Sequence, residues 1–313
     1  VYHVNNLITG PGNASIGTVQ MLLGFTLSGR VLGPGSAPQS NVNINVLDHV
    51  TRLRQHIAND NTDVNGNFTV CVAPGNYDVH YDPTVCSGMA PMQQENLAVF
   101  ANTTLPTMSV VTGVHILGLV TDPAAQLVPA VDLDVFPAGG AAKLYTPGAK
   151  TAVTGAYDAL VPPGTYDIHF VPPSLTRLRP ASRLGVVAAS TQTMPVTVLA
   201  NGWIVSGTVR ALGTLLPVLG ATLDFYTNLA LPPLWTPHHV TSALGTYAVS
   251  VDPGIYEIQV VPPRGVGLSE TTLHGVTVGA DLILADVLLA PPSTGVGPGA
   301  ATGLSLSAPM PNP

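Results

Sequence analysis

The sequence predicts an all-β protein, built as three tandem antiparallel β-sandwiches forming a rod. Three observations predict it. The text repeats three times at a spacing of about 90 residues, the mark of a repeat architecture. Within each copy apolar and polar residues alternate, the period of a half-buried strand. Gly (32 residues) and Pro (30) punctuate these short runs, and no helical period occurs anywhere.

Each copy opens on a strand beside a glycine: Gly29, Gly118 and Gly207, spaced 89 and 89. An alternating strand follows: Val42-Asn43-Ile44-Asn45-Val46, Val131-Asp132-Leu133-Asp134-Val135 and Ala221-Thr222-Leu223-Asp224-Phe225. Next come Thr62-Asp63-Val64-Asn65-Gly66-Asn67-Phe68, Thr151-Ala152-Val153-Thr154-Gly155-Ala156-Tyr157 and Thr241-Ser242-Ala243-Leu244-Gly245-Thr246-Tyr247. Phe68, Val70 and Val72 share one face, as do Tyr77, Val79 and Tyr81. The Pro-Gly pairs between these last two strands end on Gly75, Gly164 and Gly254, spaced 89 and 90. A type II turn is expected there, with Pro presetting φ and Gly accepting φ > 0.

The expected divisions are 1–24, an N-terminal strand segment; 25–112, 113–200 and 201–290, the sandwiches; and 291–313, a Pro/Gly-rich tail. Residues 6–24 parallel the end of the first copy, Asn96–Gly113. They read either as an extension packed on the first module or as strands donated to a neighbouring subunit. The start, Val1-Tyr2-His3-Val4, has neither Met nor a basic stretch and suggests a mature, processed chain.

Ten Lys+Arg and seventeen Asp+Glu make 9% charged, against roughly 25% in an ordinary soluble domain. The chain is too apolar to be disordered. A net charge of -7 gives no basic surplus for nucleic acid. Its apolar runs fall short of the ~20 residues of a membrane span. So much uncharged surface is expected to be covered, by neighbouring subunits or by glycans.

With these residues on the page, the repeats resemble the carboxypeptidase regulatory-like module through Thr62, Asp63, Gly66, Phe68, Pro74, Gly75 and Tyr77. The later copies keep the Gly and Tyr positions but carry Ala152 and Ser242 for the Asp. The resemblance covers roughly 25–290 and implies a transthyretin-like, seven-stranded sandwich used as spacer, stalk or accessory domain. The closing text from Gly303 to Pro311-Asn312-Pro313 resembles the start of C-terminal modules of secreted bacterial proteins. Some of those modules are sorting signals of type IX secretion, and the chain stops where such a module would begin.

Candidate sites are few. Cys71 and Cys86, the two cysteines, are expected to form a disulfide worth roughly 3 kcal/mol, which implies an oxidising compartment. Sequons make Asn13, Asn67 and Asn102 candidate glycosylation sites. His80 and His169 each follow an Asp by two residues; a solvated strand face is the expectation, with metal binding the alternative. Trp235, in a Pro-rich loop beside His238-His239, is a candidate partner contact or a cap on its own sandwich. Asp132 and Asp134 share a face that tolerates polar residues. No nucleophile-elbow, Walker, Rossmann, zincin or Cys-x-x-Cys pattern is present. The expectation is therefore a non-enzyme without metal or cofactor.

The functional expectation is an extracellular structural protein, a filament or surface-stalk subunit that assembles head-to-tail with copies of itself. The alternative is a carbohydrate- or surface-binding adhesin, or an accessory module of a larger secreted protein.

Overall fold

A computed structural model describes residues 23–84 and 87–292. The first repeat forms β1 (Phe25–Leu32), β2 (Asn43–Asp48), β3 (Asn67–Val72), β4 (Gly75–Asp82), β5 (Met92–Val99), β6 (Thr103–Thr104) and β7 (Met108–Ser109). The second forms β8 (Val114–Thr121), β9 (Asp132–Pro137), β10 (Ala156–Val161), β11 (Gly164–Val171), β12 (Ala181–Ala188), β13 (Gln192–Thr193) and β14 (Thr197–Val198). The third forms β15 (Trp203–Ala211), β16 (Thr222–Tyr226), β17 (Thr246–Val251), β18 (Gly254–Val261), β19 (Thr271–Val278), β20 (Leu282–Ile283) and β21 (Val287–Leu289).

Topology repeats with the text. One sheet of each module places its first strand centrally, as in β3-β1-β6 with β7 also on β1; the other is β2-β4-β5. The counterparts are β10-β8-β13 with β14, β9-β11-β12, β17-β15-β20 with β21, and β16-β18-β19. The alternation lands as expected: Phe68, Val70 and Val72 are buried, while Thr69 and Cys71 face out. Each module has its own core, centred on Leu27, Ile44 and Tyr81, on Ile116, Leu133 and Phe170, and on Leu223, Phe225 and Ile258. Burial of each such side chain contributes about 1.5–3 kcal/mol.

Not every pairing is antiparallel. The closing strand of each module runs parallel to the opening one, in two short pieces (β6 and β7, β13 and β14, β20 and β21). In the first two modules Pro106 and Pro195 sit between the pieces, where a residue without an N–H cannot continue the ladder.

The repeated polar residues serve the fold. Thr62, Thr151 and Thr241 are buried, and each hydroxyl accepts from one backbone N–H (Val42, Val131, Ala221; 2.8–3.0 Å). Each donates in turn to a carbonyl, of Gln39, Val128 or Val218. Gly66, Gly155 and Gly245 have φ of +77°, +68° and +71°, and an added Cβ would lie 2.3–2.6 Å from the carbonyl oxygen of Val31, Val120 or Val209. Only glycine satisfies both demands. Asp63 stabilises its turn by accepting from the N–H groups of Asn65 and Asn67, chiefly Asn67, which holds its pKa below the ordinary value.

The expected type II turn at Pro-Gly is not formed. Gly75, Gly164 and Gly254 lack a left-handed φ, because β3 and β4 belong to different sheets and the chain crosses between them rather than folding back. Tyrosine two residues on closes this corner: Tyr77, Tyr166 and Tyr256 donate to the carbonyls of Ala73, Pro162 and Asp252 at 2.6–2.9 Å.

The chain divides into two compact units, Val1–Gly202 and Trp203–Pro313. The first holds two modules and their two cores. The second holds the third. The donated-strand expectation for 1–24 falls on residues of which 1–22 lie outside the described ones, as do 293–313 of the tail.

Candidate assembly interface

Inside the first unit, the arm between β9 and β10 reaches the outer face of the β2-β4-β5 sheet. The backbone sets the arm's course, with Leu144 N–H donating to Val135 O (2.8 Å) and Leu133 N–H to Ala149 O (2.9 Å). Tyr145, between these anchors, stacks on His80 with ring centroids 4.0 Å apart and planes 28° apart. The Asp82 carboxylate and the Asn45 side chain lie beside its hydroxyl. Gln93 Nε2 adds a bond to Lys143 O at 2.7 Å. Asn45 and His80 are cross-strand partners, as are Asn43 and Asp82, so register alone assembles this seat.

Electrostatics record the burial. Desolvation pushes Tyr145 up to about 12 and raises Asp82, while it lowers His80, helped by Arg52 and opposed by Asp78. The expected solvated face is therefore wrong for His80, which is half-covered by an aromatic ring. His169 bonds Ser182 Oγ at 2.6 Å and meets the edge of Phe136. Lys143 clamps Asp134, and Asp132 at 3.8 Å, which explains that paired carboxylate face. Among the described residues no group of three or more His, Cys, Asp or Glu could hold a metal ion.

The Asp of each Asp-x-His pair has a local task that sequence reading missed. The ladder shifts register at Tyr77/Val79, Tyr166/Ile168 and Tyr256/Ile258. The residue between is Asp78, Asp167 or Glu257, and its carboxylate accepts the opposing N–H of Asn96 (2.8 Å), Gly185 (2.8 Å) or Gly275 (3.2 Å). Those partners all have φ near +60°, so each carboxylate latches a bulge. Asp78, with its side chain 0% exposed, also takes His49 Nδ1 at 2.7 Å and the Arg52 guanidinium.

Trp235 is 45% exposed. Leu234 N–H donates to Phe225 O and Leu223 N–H to His239 O, reproducing the anchors around Tyr145. In the first module Gln55 N–H on Val46 O and Ile44 N–H on Asp60 O do the same. His56, Tyr145 and Trp235 are thus equivalent ring positions, each six residues before Thr62, Thr151 or Thr241. That count was available from the sequence and would have found them.

Cys71 is exposed and unbridged among the described residues; Cys86 and Asn13 lie outside them. Asn67 is exposed at the start of β3. Asn102 is exposed too, and its Oδ1 accepts from Thr26 N–H at 3.0 Å, a place that Thr191 and Asp281 hold in the other modules. Large apolar side chains stand out of the strands, among them Val187 (62%), Ile255 (63%) and Ile283 (83%). No helix among the described residues is long and apolar enough to cross a membrane.

No protein-family model matches the chain, and no curated protein matches it. Among solved structures it is similar to the Bacillus anthracis TIE protein (13% identity, TM-score 0.24), covering 86% of this chain and 51% of that one. The chain thus spans about half the length of that protein. A streptococcal ancillary pilin is 11% identical with TM-score 0.27, over 86% of this chain and 99% of that one. BcpA, the major pilin subunit of Bacillus cereus, is 12% identical with TM-score 0.23, over 86% and 99%. Likenesses of this size decide nothing about what the chain does.

Proposed function

We propose that the chain is an extracellular structural protein, a non-enzymatic subunit of a filament or surface stalk that assembles head-to-tail with copies of itself. One observation carries the reading: its first two modules are joined by sheet-face residues at positions that recur along the sequence, while apolar strand residues such as Val187, Ile255 and Ile283 are exposed. Contacts of a heterologous kind that do not close generate filaments. Low charge reduces repulsion between packed copies. Secretion and kinship with carboxypeptidase regulatory-like modules belong to the same reading. Negative-stain microscopy of concentrated native protein tests it: filaments are expected, and dispersed single molecules at every concentration would refute it.

The adhesin alternative rests on Trp235. Its equivalence to Tyr145 accounts for a ring at that position without a ligand, which favours the structural reading.

A further inference from the structure

One side of each sandwich opens between the edge strand of one sheet (β5, β12 or β19) and the closing strands of the other. Hydrogen-bond register aligns the three edges: Gln94 is opposite Val79, Arg183 opposite Ile168 and Leu273 opposite Ile258. It aligns the closing strands too, with Met108 beside Val31, Thr197 beside Val120 and Val287 beside Val209.

The three modules fill this side differently. In the second, Arg183 spans it: Nε donates to Thr197 Oγ1, and Nη2 to the carbonyls of Pro195 and Val196, each at 3.0 Å. In the first, Gln94 Oε1 accepts the Tyr81 hydroxyl at 2.7 Å. In the third, the same position is Leu273, which has no polar head to send across. A cleft of about 600 Å³ stands there, with Leu273, Val276, Ala285, Asp286 and Val287 in its lining. Its size falls within the ~300–1,000 Å³ of ligand pockets.

The second module shows what this place accepts. Ala285 and Asp286 precede Val287 as Pro195 and Val196 precede Thr197, so two backbone carbonyls recur where Arg183 finds its acceptors. Asp286 adds a carboxylate; its Oδ2 takes Arg210 Nε at 2.8 Å, and a carboxylate accepts more than one donor. No Lys or Arg lines the cleft. Its apolar wall suits the methylene stem of a long cationic side chain, and a planar guanidinium can fork to two oxygens.

We infer that the third module holds a binding cleft for an arginine side chain presented by another protein. The stem lies over Leu273 and Val276, and the guanidinium donates to the carbonyls of Ala285 and Asp286. An outside arginine thus completes in the third repeat what Arg183 completes within the second. The occupant is another protein because this chain has little to offer: of its arginines, all but Arg264 are already engaged. Arg264 lies in the β18–β19 loop of the same module, so a copy using it would set third module against third module. The site lies within one module and does not depend on the filament reading.

A labelled, capped peptide with one arginine among serines, and its norleucine counterpart, test the cleft by fluorescence anisotropy on the full chain. The arginine peptide is expected to bind, and the norleucine peptide about tenfold more weakly or worse, for want of charged hydrogen bonds. Methyl NMR should shift Leu273, Val276 and Val287 on binding. Leu273→Arg supplies the chain's own plug and should abolish binding; Leu273→Gln, the residue type of the first module, should weaken it. Circular dichroism checks that both variants fold. Equal binding of the two peptides, or binding unchanged in both variants, would overturn the inference. Polymers of the parent chain that vanish in Arg264→Gln and in Leu273→Arg alike would give the cleft to a second copy and overturn the assignment to another protein.

Discussion

Tyr145 of the second module lies on His80 of the first, their rings 4.0 Å apart and nearly parallel. The contact spans two sandwiches that have separate cores and belong to one compact unit. Tyr145→Ala should therefore loosen the joint while leaving both cores intact. The expected cost is about 2 kcal/mol, roughly half that of emptying a fully buried aromatic site. Proteolysis near Thr112, at the passage between the modules, should quicken before either core melts.

His80 offers a local probe of the same joint. Burial holds its pKa below the ordinary 6.5, so on acidification the unfolded chain takes up the proton first. The contribution of His80 is thus present at neutral pH and is lost as pH falls through 6.5 towards the folded value. Asp82 acts in the other direction, since burial raises it above 3.8; its contribution is present below 3.8 and fades as pH rises through the folded value. Proton NMR should place His80 below 6.5 in the parent and return it towards 6.5 in Tyr145→Ala. An unchanged midpoint would mean that the ring does not cover it.

Asp78 should matter more than its counterpart Asp167. Both latch a bulge, but Asp78 is buried and also holds His49 and Arg52. Asp78→Ala leaves the Asn96 N–H without its carboxylate and should cost about 2–3 kcal/mol, with Asp167→Ala costing about 1 kcal/mol. Urea titration of both variants measures the difference.

Gly155→Ala should cost about 2 kcal/mol or more, since it forces φ = +68° on alanine and drives Cβ to 2.6 Å from Val120 O. Gly139, with φ = +70° and nothing within 4 Å of an added Cβ, supplies the comparison. Gly139→Ala should cost only the conformational part, about 1 kcal/mol.

On the extracellular reading, Cys71 and Cys86 should be bridged in the native protein, making the intact chain two hydrogens lighter than its reduced form. Reduction should remove about 3 kcal/mol of stability. Alkylation of both thiols without prior reduction would contradict the bridge.

The repeat, the strand faces and the glycines at 66, 155 and 245 were legible because a period of two and a positive φ leave local marks in the text. Three features were not. The parallel closing strands depend on a pairing between the two ends of a module. The Pro-Gly corner reads as a hairpin unless one knows that its strands lie in separate sheets. The seat at Asn45, His80 and Asp82 exists only once register sets these residues side by side; each taken singly reads as solvated. The latch residues Asp78, Asp167 and Glu257 were visible as acids at one repeat position, but a bulge leaves no signature in hydropathy.

The central claim is that copies of this chain join end to end. Sedimentation velocity of the chain across a wide concentration range tests it most directly. The account predicts a concentration-dependent ladder of polymers. A single monomeric boundary for the parent at every concentration would contradict it.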